Sequence, residues 1–178
     1  MHVNREQNSN KVLLILRHAK SSWKNKKLND LDRPLNKRGR NEAVKMGEYL
    51  KSMDLMPDMI ITSFALRAIE TATLLCRQSG YDGIVEVNFS LHEGDTTSYI
   101  QAITTSHEDK NKLLIVGHNP TLEQLLSLLT NKTVSLPTCT LVQIKLNVAS
   151  WNKVIHHSGS KPEIVNIWRP KKLKKNND

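Results

Sequence analysis

Four side chains in this chain could together handle a phosphoryl group. Arg17 and His18 follow directly on the apolar run Lys11–Leu16, and Arg67 lies four residues past Ser63, where the run Asp58–Thr62 ends. His118 follows the run Lys112–Val116 and Gly117, with Asn119 and Pro120 next. Guanidinium groups keep their charge at any ordinary pH and bind phosphate oxygens in bidentate fashion. A neutral imidazole is a competent nucleophile toward phosphorus, and a second one can help neutralise the charge that spreads over the equatorial oxygens during transfer. Taken singly, each residue has a structural explanation: a surface arginine, a turn, a helix cap. The weight lies in the repetition, since three strong strand signals in a row end in such a group.

The elements that must position these groups follow from the pattern. Short apolar runs alternating with helical periodicity predict strands and helices in turn, hence a mostly parallel sheet. Strands of a parallel sheet point the same way, so their C-terminal ends share one edge, where open α/β folds bind ligands. Both arginines and both histidines are thereby expected to converge on one anion pocket. Helix N-termini at Asn119-Pro120 and near Ser63 are expected to add backbone donors. The predicted fold class is a three-layer α/β/α sandwich, with a single domain over residues 11–170 and polar or basic tails at 1–10 and 171–178.

Between these runs the reading is less uniform. Ala19 to Leu35 is a polar connection of 17 residues, and loops of that length in compact domains are often functional. Asn36 is placed to cap a helix reaching about Met53, with Ala43, Met46, Leu50 and Met53 on one face. Gly39 in its first turn suggests a close backbone approach. A helix is predicted from Leu66 to about Ser79, stopped by Gly80. A short strand follows at Ile84–Val87 and a helix at about Thr97–Thr105. Asn119 and Pro120 read as N-cap and first residue of a helix carrying Leu122, Leu125, Leu126 and Leu129. After Pro137 the period changes to two, and Leu141–Leu146 with Trp151–His157 read as a hairpin around 147–150. Glu163–Trp168 completes the predicted strands, the last ones antiparallel.

Composition narrows the function classes. The chain has 178 residues, 38% of them hydrophobic, with a mean hydropathy of −0.45, as expected of a soluble globular protein. No apolar run approaches the roughly 20 residues that cross a bilayer, and Met1 to Asn10 lacks an apolar signal centre, so no membrane association and a cytoplasmic location are expected. Cys76 and Cys139 fit no metal or redox spacing and are expected as free thiols. The net charge is +9, and residues 161–178 contribute six Lys/Arg against two acids. No nucleic-acid-binding motif accompanies that charge, so nucleic acid is not expected as a partner. His2, His92, His107, His156 and His157 lack the strand-end setting and are read as non-ligands. No metal site is expected. Oligomeric state is not legible.

The motifs, taken together, resemble those of the histidine phosphatase superfamily, with its phosphoglycerate-mutase-like fold, and within it the short SixA-like phosphohistidine phosphatases. They are Leu16-Arg17-His18-Ala19-Lys20-Ser21-Ser22-Trp23, Asp32-Arg33-Pro34-Leu35 with Arg38-Gly39, Thr62-Ser63, Ala65-Leu66-Arg67-Ala68, Glu70-Thr71-Ala72 and Val116-Gly117-His118-Asn119-Pro120. The resemblance spans about residues 11 to 170. It implies that His18 is a nucleophile, phosphorylated and then hydrolysed. It implies that Arg17, Arg67 and His118 form the phosphate pocket, that Ser63 and Asn119 border it, and that Lys20, Ser21 and Ser22 lie at its mouth. It implies no cofactor.

Mutase and monoester-phosphatase branches protonate the leaving oxygen with a carboxyl group. The best-placed candidate is Glu93 in Leu91-His92-Glu93-Gly94, against the reading of a surface glutamate; Asp32 is the second, against a structural link to Arg33 or Arg38. A phosphohistidine substrate needs such an acid less, because imidazole leaves more readily than an alkoxide. The chain also lacks room for the large insertions of longer relatives, which suggests a shallow site suited to a phosphorylated protein. The alternative is a phosphatase, or mutase, of small phosphate esters.

Overall fold

The first strand, β1 (Lys11–Arg17), sends Leu13 and Ile15 to one side of the sheet and Leu14 and Leu16 to the other, and all four are fully buried. Burial on both faces is what places a strand inside a parallel sheet. The computed structural model describes residues 11–155 and 161–172. The expectations for tail 1–10, for most of tail 171–178 and for His2, His156 and His157 lie outside those residues.

After β1 come α1 (Lys37–Ser52), β2 (Met59–Ser63), α2 (Leu66–Ser79), β3 (Ile84–Asn88), α3 (Thr96–Thr104), β4 (Lys112–Gly117), α4 (Thr121–Thr130), β5 (Leu141–Leu146) and β6 (Glu163–Trp168). The six strands form one sheet in the order β3-β2-β4-β1-β5-β6. The first four strands in sequence are mutually parallel, while β5 runs antiparallel to β1 and β6 antiparallel to β5. Met46 and Leu50 of α1 pack with Ala68 and Leu75 of α2 over one face, and Tyr99 and Ile103 of α3 with Leu122 and Leu126 of α4 over the other. The result is the expected three-layer α/β/α arrangement.

Register sets the functional edge. Arg17 pairs with Gly117, Thr62 with Val116 and Ser63 with Asn88. His18, His118 and the segment after Asn88 therefore leave the sheet side by side. Asn36 caps α1 as expected, its side chain accepting from Gly39 N at 2.8 Å. A Cβ on Gly39 would overlap the Lys20 carbonyl, so the glycine lets the loop after β1 lie against α1. Gly80 ends α2 at φ 72°. Cys76 and Cys139 are free thiols.

Two expectations are corrected. The described part of the strand predicted over Trp151–His157, residues 151–155, is not a strand: Trp151–Lys153 forms a short 3-10 turn, and β6 is the antiparallel partner of β5. Trp151 is fully buried, with its indole N–H donating to the Lys110 carbonyl at 2.8 Å. Placing a large ring in the core with its one donor satisfied outweighs the weak period-two pattern. Asn119 is not the N-cap of α4, because Pro120 holds that position, after a cis peptide bond, and Thr121 is the first helical residue. The Asn119 amide instead donates to the Glu123 carboxylate at 2.6 Å and to the Leu136 carbonyl at 3.1 Å, a charge-assisted bond that a cap would forgo.

Candidate active site

His18 sits just beyond β1 and is only 7% exposed. Its backbone is fixed on two sides: its N–H donates to the Gly117 carbonyl, and its carbonyl accepts from Cys139 N. The ring Nδ1 faces the Ala19 carbonyl at 2.8 Å. A carbonyl can only accept, so Nδ1 carries the proton and Nε2 keeps the lone pair. Burial, then the charges of Arg67, Arg17 and Arg33, push the ring's pKa down to about 4, against the opposing bond to Ala19. The ring is therefore neutral at pH 7, with one free nucleophilic nitrogen.

His118 follows β4, its ring centroid 5.1 Å from that of His18. Arg67, in the first turn of α2, points its Nη2 at His118 Nδ1 at 3.4 Å. Guanidinium only donates, so Nδ1 is the acceptor and Nε2–H donates to Ser63 Oγ at 2.8 Å. Burial first, then His18, Arg67, His92 and Arg17, push the His118 pKa down to about 2. Its backbone N–H donates to the Tyr99 hydroxyl at 3.1 Å, and that hydroxyl donates to the Leu91 carbonyl at 2.9 Å. The expected anion-binding role of backbone N–H groups does not extend to this one, which Tyr99 occupies. Arg17 donates through Nη1 to the Leu136 carbonyl at 2.7 Å, and its buried Nε has no partner.

The loop after β1 folds over this cluster. It is tied down by Ser22 N to the Pro34 carbonyl, Asn36 N to the Lys20 carbonyl, and Ala19 N to Thr71 Oγ1. At its far end Asp30 accepts from Arg67 twice, through its carbonyl at 2.6 Å and Oδ2 at 2.8 Å. Arg33 Nε lies 3.3 Å from Asp30 Oδ1, and its guanidinium stacks on Trp23, 3.5 Å from the ring centroid. Burial alone would raise the Asp30 pKa, but the hydrogen bond and charge of Arg67, with Arg33 and His92, outweigh it and hold the carboxylate low. Ser21 Oγ accepts from Arg33 Nη2 at 3.1 Å, and Ser22 Oγ accepts from Lys24 N. Of the three predicted mouth residues, Lys20 is the exposed one. The pocket side chains are less open than the expected shallow site, for Arg67 is 5% and His118 7% exposed.

The carboxylates and histidines sort differently from the sequence reading. Glu93 and Asp32 are exposed. Asp32 meets Asn29 at 3.5 Å, and the carboxylate that pairs with Arg33 is Asp30. His92, read as lying outside the site, borders it: its ring is 5.3 Å from that of His118 and its Nε2 is 3.7 Å from Asp30 Oδ2. Asp30, Arg33, His92 and Tyr99 were not picked out as site residues. His92 could have been found from its place just past β3, on the same sheet edge, and Arg33 from the motif Asp32-Arg33-Pro34-Leu35; nothing local marks Asp30 and Tyr99. Among the described residues no group of three or more His, Cys, Asp or Glu is arranged to hold a metal ion. The cluster gathers the guanidinium groups of Arg17 and Arg67 around the two histidine rings, a cationic setting suited to an anion, and leaves the Nε2 of His18 unengaged beside them.

Residues 13–102 match the histidine phosphatase superfamily (branch 1). An uncharacterized chloroplastic protein of Arabidopsis thaliana is 32% identical over 158 residues, which cover 83% of this chain and 72% of that protein. A 2,3-bisphosphoglycerate-dependent phosphoglycerate mutase of Streptomyces avermitilis is 47% identical over 64 residues, but these are 35% of this chain and only 25% of the mutase. Among solved structures, the protein histidine phosphatase SixA complexed with tungstate superposes with a TM-score of 0.75 at 21% identity, covering 92% of this chain and 99% of that one. A shared fold, a relative matched over most of its length and a profile that takes in Arg17, His18 and Arg67 give one answer: the chain belongs to the histidine phosphatase superfamily.

Proposed function

We propose that this protein is a metal-independent phosphatase, one domain over residues 11–170, that hydrolyses phosphohistidine on a protein through a phosphorylated His18. The observation that carries the reading is the neutral His18 ring, with Nδ1 committed to the Ala19 carbonyl and Nε2 left free beside Arg17, Arg67 and His118. Nε2 attacks phosphorus and the leaving group takes the electron pair of the broken bond. Arg67 and Arg17 bear the charge of the equatorial oxygens, as oriented donors in a water-poor site. Water then attacks phospho-His18, phosphate departs and the ring is restored. Ser63 holds His118 in one tautomer, which keeps its other nitrogen toward Arg67. Asn119 acts through Glu123, which lies near enough to Arg17 to favour its charge. Lys20 guides the anionic substrate at the mouth, and Ser21 positions Arg33.

A protein substrate is favoured by the rim. Ser63 and Asn88 are paired, and the residues just beyond them, Phe64 and Phe89, stack at 4.2 Å with Phe89 69% exposed. Trp23, on the loop over the pocket, is also 69% exposed. Exposed aromatics beside a phosphate pocket suit a protein surface better than a small ester. The second reading, a phosphatase or mutase of small phosphate esters, is favoured by the local identity to phosphoglycerate mutase.

The test is phosphate release by the unaltered protein and by His18→Ala, in chelated buffer, from a histidine-phosphorylated phosphotransfer domain and from a generic aryl phosphate. Preference for the phosphoprotein, abolished in the variant, is expected. Equal or better activity on the aryl phosphate would favour the second reading, and undiminished turnover by His18→Ala would overturn the mechanism.

A further inference from the structure

We propose that His92 is the proton donor to the leaving group, an inference that rests on the phosphatase reading. The carboxyl groups suggested by the sequence are badly placed to donate, because Glu93 and Asp32 are exposed. Asp30 is close, but Arg67, Arg33 and His92 keep it ionised, so it has no proton to give. His92 remains. It follows the turn Phe89–Leu91 at the end of β3, with a side chain only 12% exposed.

The Asp30 carboxylate marks where an anionic oxygen rests in this pocket. Its Oδ2 accepts from Arg67 Nη2 at 2.8 Å and lies 3.7 Å from His92 Nε2, while Oδ1 lies 3.3 Å from Arg33 Nε. A phosphoryl substrate must compete for Arg67 with the Asp30 carboxylate, which is half exposed on its loop, and must displace it. The substrate's oxygens then occupy the vacated position, next to His92 Nε2. The rings of His18 and His92 each adjoin that of His118, at 5.1 and 5.3 Å. A phosphoryl group held by Arg67 beside the His118 ring therefore has a nucleophile and a proton donor among its neighbours.

In the first step the bond from His18 Nε2 to phosphorus forms as the bond to the leaving atom breaks. The leaving atom keeps that electron pair and takes a proton from the His92 imidazolium, which becomes neutral. In the second step neutral His92 takes a proton from the attacking water while the water oxygen bonds phosphorus and the bond to His18 breaks.

The experiment compares the unaltered protein with His92→Gln on a series of aryl phosphates whose phenols differ in acidity. Positioned proton donors contribute about 10²- to 10⁴-fold to poor leaving groups and little to good ones. The variant is expected to lose about 10²-fold or more on the least acidic phenol and far less on the most acidic one, so that its rate depends more steeply on leaving-group pKa. Retained inhibition by inorganic phosphate would report an intact pocket, with His92→Asn as the replacement should the glutamine variant not fold. An equal loss across the series would assign His92 a purely structural part and overturn the proposal. Absence of phosphate release by the unaltered protein, from the whole series and from a phosphohistidine domain, would overturn the phosphatase reading instead.

Discussion

At the scale of single residues, His18 and His118 are both neutral at pH 7 but hold their protons differently. His18 presents a lone pair at Nε2, whereas His118 gives its Nε2 proton to Ser63 and turns Nδ1 to Arg67. One ring thus keeps an unengaged nitrogen, and the other is fixed at both. The Arg-His motif suggests an acid limb near the ordinary histidine pKa, between pH 5 and 8. Burial and the three arginines move it, and with a His18 pKa of about 4 the attacking form persists well below neutrality. The rate of the first step is expected to hold down to about pH 5 and to fall as pH drops through about 4. A single-turnover pH profile on protein shown to remain folded checks this, and an acid limb centred near pH 6.5 would contradict it. The same shift bears on stability. The unfolded state binds a proton first, so stability is fully present above the ordinary histidine pKa and is lost as pH falls toward the folded value.

At the scale of elements, the ends of β4 and β3 are linked by one hydroxyl. Tyr99 of α3 accepts from His118 N and donates to the Leu91 carbonyl. Gly117 leaves room for it, since a Cβ there would meet the Tyr99 ring and hydroxyl. Tyr99→Phe keeps the ring in its fully buried site but leaves a buried N–H and a carbonyl without this partner. Each such group costs about 1–3 kcal/mol. A lower melting temperature is expected, together with slower phosphate release as His118 and the 89–92 turn lose their common tether. An unchanged melting curve would show that the hydroxyl couples nothing. The polar segment Ala19 to Leu35 is informative at the same scale. Its length in the sequence suggests function; folded, it brings Asp30 and Arg33 onto the pocket from one strand crossing away.

At the scale of the whole molecule, the aromatic rim offers a test between the two proposed kinds of substrate. Phe89 contributes nothing to the phosphate cluster, yet it is 69% exposed and packed on Phe64. Phe89→Ser is expected to lower kcat/KM on a phosphohistidine domain by about tenfold or more, the scale of an interface anchor, and to spare an aryl phosphate. Equal kcat/KM values on both substrates, before and after the change, would count against docking at this rim. The excess of positive charge over the chain, +9, would draw an acidic protein surface at long range, an attraction that salt should weaken.

Local signals in the chain were enough to specify the sheet and the four groups at its edge. Apolar runs of strand length and helical spacing are such signals, and Arg17, His18, Arg67 and His118 follow them within a few residues. They also marked the close approach at Gly39 and the stop at Gly80. The hairpin at Trp151 and the cap at Asn119 were misread for one reason: a buried indole and a charged partner at Glu123 are tertiary facts that override weak local patterns. It took the folded chain to bring Asp30 to Arg67, 37 residues away, to stack Arg33 on Trp23, and to turn His92 rather than Glu93 toward the pocket. Proton positions and pKa directions belong to this second group as well, because they depend on burial and on charges that the fold brings together from distant parts of the chain.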